Sequence, residues 1–148
     1  MSDDPRATGG CLCGTVRFAV NGHLHPVVVC HCMMCQRAGS TASVSTKCHP
    51  GDLAILSGRP KWYRSSPNSR RGFCAKCGSL LFWEPADGSH VSISAGSLDQ
   101  PTGLRVGEHI FTDHKADYDR APPLPPEEVV PWKKAGSVKA EDAFRRGR

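Results

Sequence analysis

Seven of the eight cysteines in this 148-residue chain fall into three tight groups: Gly10-Cys11-Leu12-Cys13-Gly14, Cys30-His31-Cys32-Met33-Met34-Cys35 and Cys74-Ala75-Lys76-Cys77-Gly78. Sulfurs this close in sequence share either metal ions or disulfides. The start Met1-Ser2-Asp3-Asp4-Pro5 lacks the basic-then-apolar pattern of a secretory leader, and no apolar run approaches the roughly 18 residues that a membrane helix needs. A reduced, cytoplasmic setting without a membrane partner is expected, and there thiols bind metal rather than pair as cystines.

In an extended segment residues i and i+2 project to one side. Cys11 with Cys13, and Cys30 with Cys32, would thus each aim two sulfurs at one ion while Leu12 and His31 face away. Cys74 and Cys77, followed by Gly78, fit a tight knuckle whose glycine lets the backbone fold under a metal. Zinc takes four thiolates in a closed structural site and three plus an open position in a reactive one. Seven cysteines divide naturally as four plus three: Cys11, Cys13, Cys74 and Cys77 in a closed site, and Cys30, Cys32 and Cys35 around a second zinc with one free place. Spacing alone also allows one four-ligand site drawn from other pairs, with thiols left over. Cys48 stands outside the groups and reads as a small buried apolar residue.

Fold class follows from composition and patterning. Glycine and proline together fill 27 of 148 positions (15 and 12), which disfavours long helices. Short β-branched and aromatic runs recur at 15–20, 27–29, 41–46, 53–57, 61–64, 79–83 and 91–94, separated by turn residues such as Asn21-Gly22 and Ser66-Pro67-Asn68. This predicts a mainly β, mostly antiparallel protein, with a turn or two of helix after Met34. Trp62, Tyr63, Phe82 and Trp83 are expected as packing residues. Pro122-Pro123-Leu124-Pro125-Pro126 forbids helix interior and sheet ladder. The expected organisation is an N-terminal extension over 1–8, a zinc domain over 9–120, and a proline-rich linker and basic tail over 121–148.

The net charge of +5 is uneven. Residues 133–148 carry +4 and read as a solubilising end, while 53–83 hold six basic residues and no acid. That segment is either a solvated hairpin surface or an attractor for a small anionic substrate. A nucleic-acid partner is not expected.

Three thiolates around a dipositive ion leave a net charge of −1 and a weak Lewis acid, which disfavours water activation. A substrate thiol suits such a centre, because coordination deprotonates it and leaves a nucleophilic sulfur. The expected chemistry is sulfur attack on a small electrophile such as an aldehyde. Cys30, Cys32 and Cys35 are the candidate catalytic residues.

The motifs Gly10-Cys11-x-Cys13-Gly14, Cys30-His31-Cys32-x-x-Cys35-x-Arg37, Phe73-Cys74-x-x-Cys77-Gly78, Ala95-Gly96-Ser97-Leu98-Asp99 and His109-Ile110-Phe111 resemble those of the glutathione-dependent formaldehyde-activating enzymes, a family that includes centromere protein V. The resemblance implies a β-tent zinc fold, a closed zinc on Cys11, Cys13, Cys74 and Cys77, and a reactive zinc on Cys30, Cys32 and Cys35. It also implies a carbon–sulfur lyase or synthase that joins glutathione and formaldehyde as S-hydroxymethylglutathione. The centromere relative suggests the alternative of a non-catalytic zinc-stabilised binding module using the basic tail.

Three further residues are candidate substrate contacts. His31 can donate to substrate or serve as a hydrogen-bonded structural histidine. Arg37 can offset the negative zinc–thiolate centre, hold a substrate carboxylate, or form a surface ion pair. Ser40, after Gly39, would bring backbone amides toward sulfur or substrate. His109 can complete a site or cap the pocket, but reads rather as a satisfied core histidine.

Overall fold

Phe18, Leu81, Phe82, Ile93, Val16 and Val20 are almost fully buried and come from segments far apart in sequence. The computed structural model describes residues 3–119, and every element lies within the compact unit Met1–Asp117. Ten strands form two sheets. β1 (Ala7–Gly10), β2 (Arg17–Val20) and β5 (Leu53–Ser57) make a three-stranded sheet in the order β1-β2-β5.

The larger sheet uses β3 (Val27–Cys30), β4 (Ser43–Cys48), β6 (Pro60–Ser66), β7 (Ser69–Cys74), β8 (Leu80–Pro85), β9 (Val91–Ser94) and β10 (Val106–Ile110), in the order β10-β3-β4-β9-β8-β7-β6. Among the described residues the single α-helix is α1 (Met33–Gly39), and no helix is long and apolar enough to cross a membrane. The mainly β expectation holds.

Three strands lie outside the runs that the sequence pattern marks as strands. β1 is Ala-Thr-Gly-Gly, with almost no side chain to signal a strand. Its glycines are there for closeness: a Cβ on Gly9 would sit 2.5 Å from the Ser97 carbonyl and 2.6 Å from the Phe18 ring. β7 carries Arg70-Arg71, and its hairpin partner β6 supplies the cover: Arg70 lies 3.9 Å above the Trp62 ring centre and pairs with Glu84 at 2.7 Å. β10 runs parallel to β3, the exception to an otherwise antiparallel pairing. Tyr63 is 64% exposed and is not a packing residue; its cross-strand row is also that of Arg71.

Directly paired residues of neighbouring strands share a face. Gly72, Phe82, Ile93 and Thr46 form one such row, and all four are buried. Phe82 meets Phe18 of the other sheet edge-on at 5.1 Å, so the core lies on this side. Cys11 and Cys74 belong to the same buried cluster. Residues of the next row, Arg71, Trp83, Ser92 and Lys47, project to the opposite face.

Candidate metal centres

Cys11 and Cys13 sit in the loop joining β1 to β2 rather than in a strand, so the i, i+2 argument does not apply to them. The loop is closed by hydrogen bonds from the Cys11 N–H to the Val16 carbonyl and from the Gly14 N–H to the Cys11 carbonyl, both 3.1 Å. Gly14, at φ +78°, and Gly78, at φ +79°, reverse the chain after Cys13 and Cys77 in a conformation that side chains resist. The second knuckle is fixed by the Gly78 N–H on the Cys74 carbonyl (2.8 Å), and Ser79 Oγ accepts from the Leu12 N–H (3.0 Å) to join the two loops.

The four sulfurs of Cys11, Cys13, Cys74 and Cys77 all lie within 4.8 Å of one another. Cys11 to Cys13 is 3.6 Å and Cys13 to Cys74 is 3.8 Å. A tetrahedral zinc with bonds of about 2.3 Å has sulfur–sulfur edges of about 3.8 Å, so the donor set fits that ion. All eight cysteines are free thiols. Hydrogen bonds from the Ser79 side chain and backbone hold the Cys77 thiol down to about 5, and the Thr15 hydroxyl, 3.2 Å away, lowers Cys13. Cys74 stays above its ordinary value although the Cys77 N–H pulls it down, because burial and the neighbouring thiols act the other way.

Cys30, Cys32 and Cys35 form the second cluster, again with sulfurs within 4.8 Å, and no fourth histidine, cysteine or carboxylate joins them among the described residues. Three different local structures bring them together. Cys30 ends β3, Cys32 caps the N-terminus of α1, and Cys35 occupies its first turn. The Cys32 sulfur accepts the Cys35 N–H at 3.4 Å. The helix begins only at Met33, and Cys32 before it still has extended backbone (φ −65°, ψ 161°), so Cys30 and Cys32 bring their sulfurs together as residues i and i+2 and the first helical turn adds Cys35. Burial pushes the Cys30 thiol up to about 12. Burial also acts to raise Cys35, but contacts from Ser43, Cys32, Cys30 and Arg71 outweigh it and leave this thiol below its ordinary value. Ser43 Oγ lies 3.2 Å from the Cys35 sulfur.

The supporting residues sort differently from the sequence expectation. His31 is buried, and its Nε2 lies 3.0 Å from Nδ1 of His109, the rings stacking at 5.3 Å. His109 is exposed, not a core histidine, because β10 is an edge strand. Arg37 and Ser40 are both exposed in and beyond the last turn of α1, and neither side chain makes a hydrogen bond or ion pair among the described residues. The Ser40 N–H caps the helix on the Gln36 carbonyl at 2.9 Å, so this amide is not offered to sulfur. Cys48 is buried and its thiol is raised to about 11, as burial of a small apolar residue requires.

Two residues at this site escaped the sequence reading. Gln36 Nε2 donates to the His31 carbonyl (2.8 Å) and to the His114 carbonyl (2.7 Å), tying the cysteine turn to the segment after β10. Arg71, in the basic segment that reads as either a solvated hairpin or an attractor for a small anionic substrate, is buried. Nothing in its local sequence separates it from exposed Arg70.

Fold and clusters define a mainly β protein with two thiol sites able to hold metal, one of four sulfurs and one of three. The chain belongs to the family described as glutathione-dependent formaldehyde-activating enzyme, whose model matches residues 6–114. Among solved structures it is similar to a Rhodobacter sphaeroides protein determined by structural genomics, with 22% identity, 69% of this chain and 98% of the other covered, and a TM-score of 0.56; at that identity the likeness shows the fold. No curated protein matches the chain.

Proposed function

We propose that this protein joins a small thiol, glutathione or a close analogue, to a small aldehyde such as formaldehyde, acting as a carbon–sulfur lyase or synthase at Cys30, Cys32 and Cys35. The observation that carries the reading is the three-sulfur cluster with no fourth ligand among the described residues. When bound there, zinc supplies the charge that deprotonates an incoming thiol and holds its sulfur as a fourth neighbour. Cys11, Cys13, Cys74 and Cys77 serve structure in this proposal, fastening the β1–β2 loop to the β7–β8 turn.

The chain's own residues do the rest. Ser43 and the Cys35 N–H fix the sulfurs of Cys35 and Cys32, so the cluster is preorganised rather than assembled on binding. Addition forms one C–S bond, moves the carbonyl π pair onto oxygen and takes up one proton. His109, exposed and backed by buried His31, is available to exchange that proton with solvent. Arg37 and Ser40 lie two and five residues beyond Cys35. A helix rise of ~1.5 Å per residue puts them within the length of a tripeptide, and we assign them to its polar groups. A reducing, cytoplasmic setting belongs to the same reading, since it needs free thiolates.

The test is calorimetric titration of the zinc-loaded protein with glutathione, followed by NMR of the mixture with labelled formaldehyde. Saturable binding and accelerated appearance of the hydroxymethyl thioether support the proposal, with both lost in folded Cys32→Ser. Absence of binding at millimolar glutathione overturns it.

A further inference from the structure

β10 is an edge strand, paired with β3 alone, and four of its five residues are exposed. Burial of apolar surface therefore does little to hold it or the turn Thr112–His114 that follows. Elements of this kind open readily unless polar ties fasten them. Beyond the strand pairing, those ties run to the Cys30-His31-Cys32 segment. The His31 N–H donates to the Ile110 carbonyl at 3.0 Å, and the His31 and His109 ring nitrogens meet at 3.0 Å. Gln36 completes the set, its Nε2 donating to the His31 carbonyl at 2.8 Å and to the His114 carbonyl at 2.7 Å.

A side-chain amide has two N–H donors, and Gln36 gives one to each carbonyl. The consequence falls on the cysteines. Both peptide groups that separate Cys30 from Cys32 are fixed, the first through its N–H by Ile110 and the second through its carbonyl by Gln36. The orientation of those two peptides sets how the two sulfurs converge, and Cys35 follows from the same helix that carries Gln36. Phe111 gives an independent sign of constraint. Its φ of +52° and ψ of +40° are left-handed, a conformation that a bulky residue adopts at a cost and only where its surroundings impose it. The bond from His31 to Ile110 lies just before it and the bond from Gln36 to His114 just after.

We infer that Gln36 is the positioning residue of the three-cysteine site: its two hydrogen bonds lock the Cys30–Cys32 backbone and the segment 110–114 into one unit, so that docking of that segment and metal binding at the cluster reinforce each other. The inference deepens the functional reading above and rests on it only for a metal at Cys30, Cys32 and Cys35. Such coupling is reciprocal. The factor by which the docked segment raises metal affinity is the factor by which metal stabilises docking.

The experiment uses the full chain loaded with cobalt(II), whose charge-transfer bands report sulfur coordination, with Cys32→Ser assigning the bands of the four-cysteine site. Gln36→Leu keeps the helix propensity and removes both donors; Gln36→Glu keeps the shape and can only accept. Affinities are measured by competition with a chromophoric chelator. In each variant the three-cysteine site loses about tenfold or more in cobalt affinity, the effect of losing a group that orients a metal ligand, while the four-cysteine site is unchanged. Amide hydrogen exchange by NMR supplies the reciprocal reading. In the wild type the second equivalent of cobalt slows exchange across 110–114 by about tenfold, and in the variants by less than about threefold.

Equal affinity of the three-cysteine site in wild type and variants overturns the inference. So does wild-type exchange across 110–114 that the second equivalent leaves unchanged, or an equal loss of affinity at both clusters. If one variant loses the four-sulfur bands, the other decides; if both lose them, Gln36 serves the whole fold and the inference fails. A wild type that takes up only one equivalent of cobalt overturns the functional reading together with the inference, whereas two equivalents bound alike in all three proteins overturn the inference alone.

Discussion

Replacing Cys74 by serine removes one sulfur from the four-cysteine cluster, and the structure sets the size of the effect. Cys13 and Cys74 are 61 residues apart in sequence and their sulfurs are 3.8 Å apart. A metal that fastens them closes a loop of that length, which by chain entropy is worth about 4 kcal/mol. The total stability of a domain this size is about 5–15 kcal/mol, so the fastening is a large fraction of it. The three-cysteine cluster closes only the short loop from Cys30 to Cys35, for about 2 kcal/mol on the same scale. Urea unfolding of the zinc-loaded proteins separates the two. Cys74→Ser lowers the midpoint by about 2–4 M for a slope of about 1–2 kcal/mol/M, and Cys32→Ser by about half as much. A strong chelator brings the wild type down to the level of Cys74→Ser or below. Equal midpoints for wild type and Cys74→Ser, with and without chelator, would refute the structural role.

Three other outcomes follow from particular contacts. Hydrogen bonds from Arg17 and Thr8 hold the Asp99 carboxyl down to about 2, so its stabilising effect is present above pH 4 and disappears as pH falls through 2. Both partners of the ion pair are well exposed, so Asp99→Asn costs under about 1 kcal/mol at pH 7, and its melting curve merges with that of the wild type near pH 2. Burial raises the Cys48 thiol to about 11, so the folded state is favoured up to pH 9 and loses about 2 kcal/mol as pH climbs through 11; Cys48→Ala flattens this alkaline limb of a melting-temperature profile. Gly9→Ala forces a Cβ against the Ser97 carbonyl and the Phe18 ring, and costs about 2–3 kcal/mol in the same urea assay.

The sulfur groups and the β-rich character were legible because each is written in local spacing. Val91–Ser94 and Leu53–Ser57 alternate or carry β-branched residues, and their bounds were readable directly. β1 was not, since Gly9 and Gly10 are selected by what approaches them from Phe18, Ser97 and Val16, contacts that have no trace at positions 9 and 10. The arginine doublet of β7 shows the same limit at the site. Arg70 and Arg71 are identical in type, and only the pleat decides that one stacks on Trp62 at the surface while the other is buried. His109 was misread because its environment depends on β10 lying parallel to β3 at a sheet edge, a pairing made by residues some eighty positions apart.

The most direct test of the open metal site proposed at Cys30, Cys32 and Cys35 is zinc-edge X-ray absorption on the protein loaded with two equivalents of zinc, before and after glutathione. Seven cysteine sulfurs over two ions give a mean of about 3.5 sulfurs per zinc at about 2.3 Å. Saturating thiol raises it to about 4. A mean of 4 before any thiol is added, or one that does not move when thiol saturates the sample, contradicts the account.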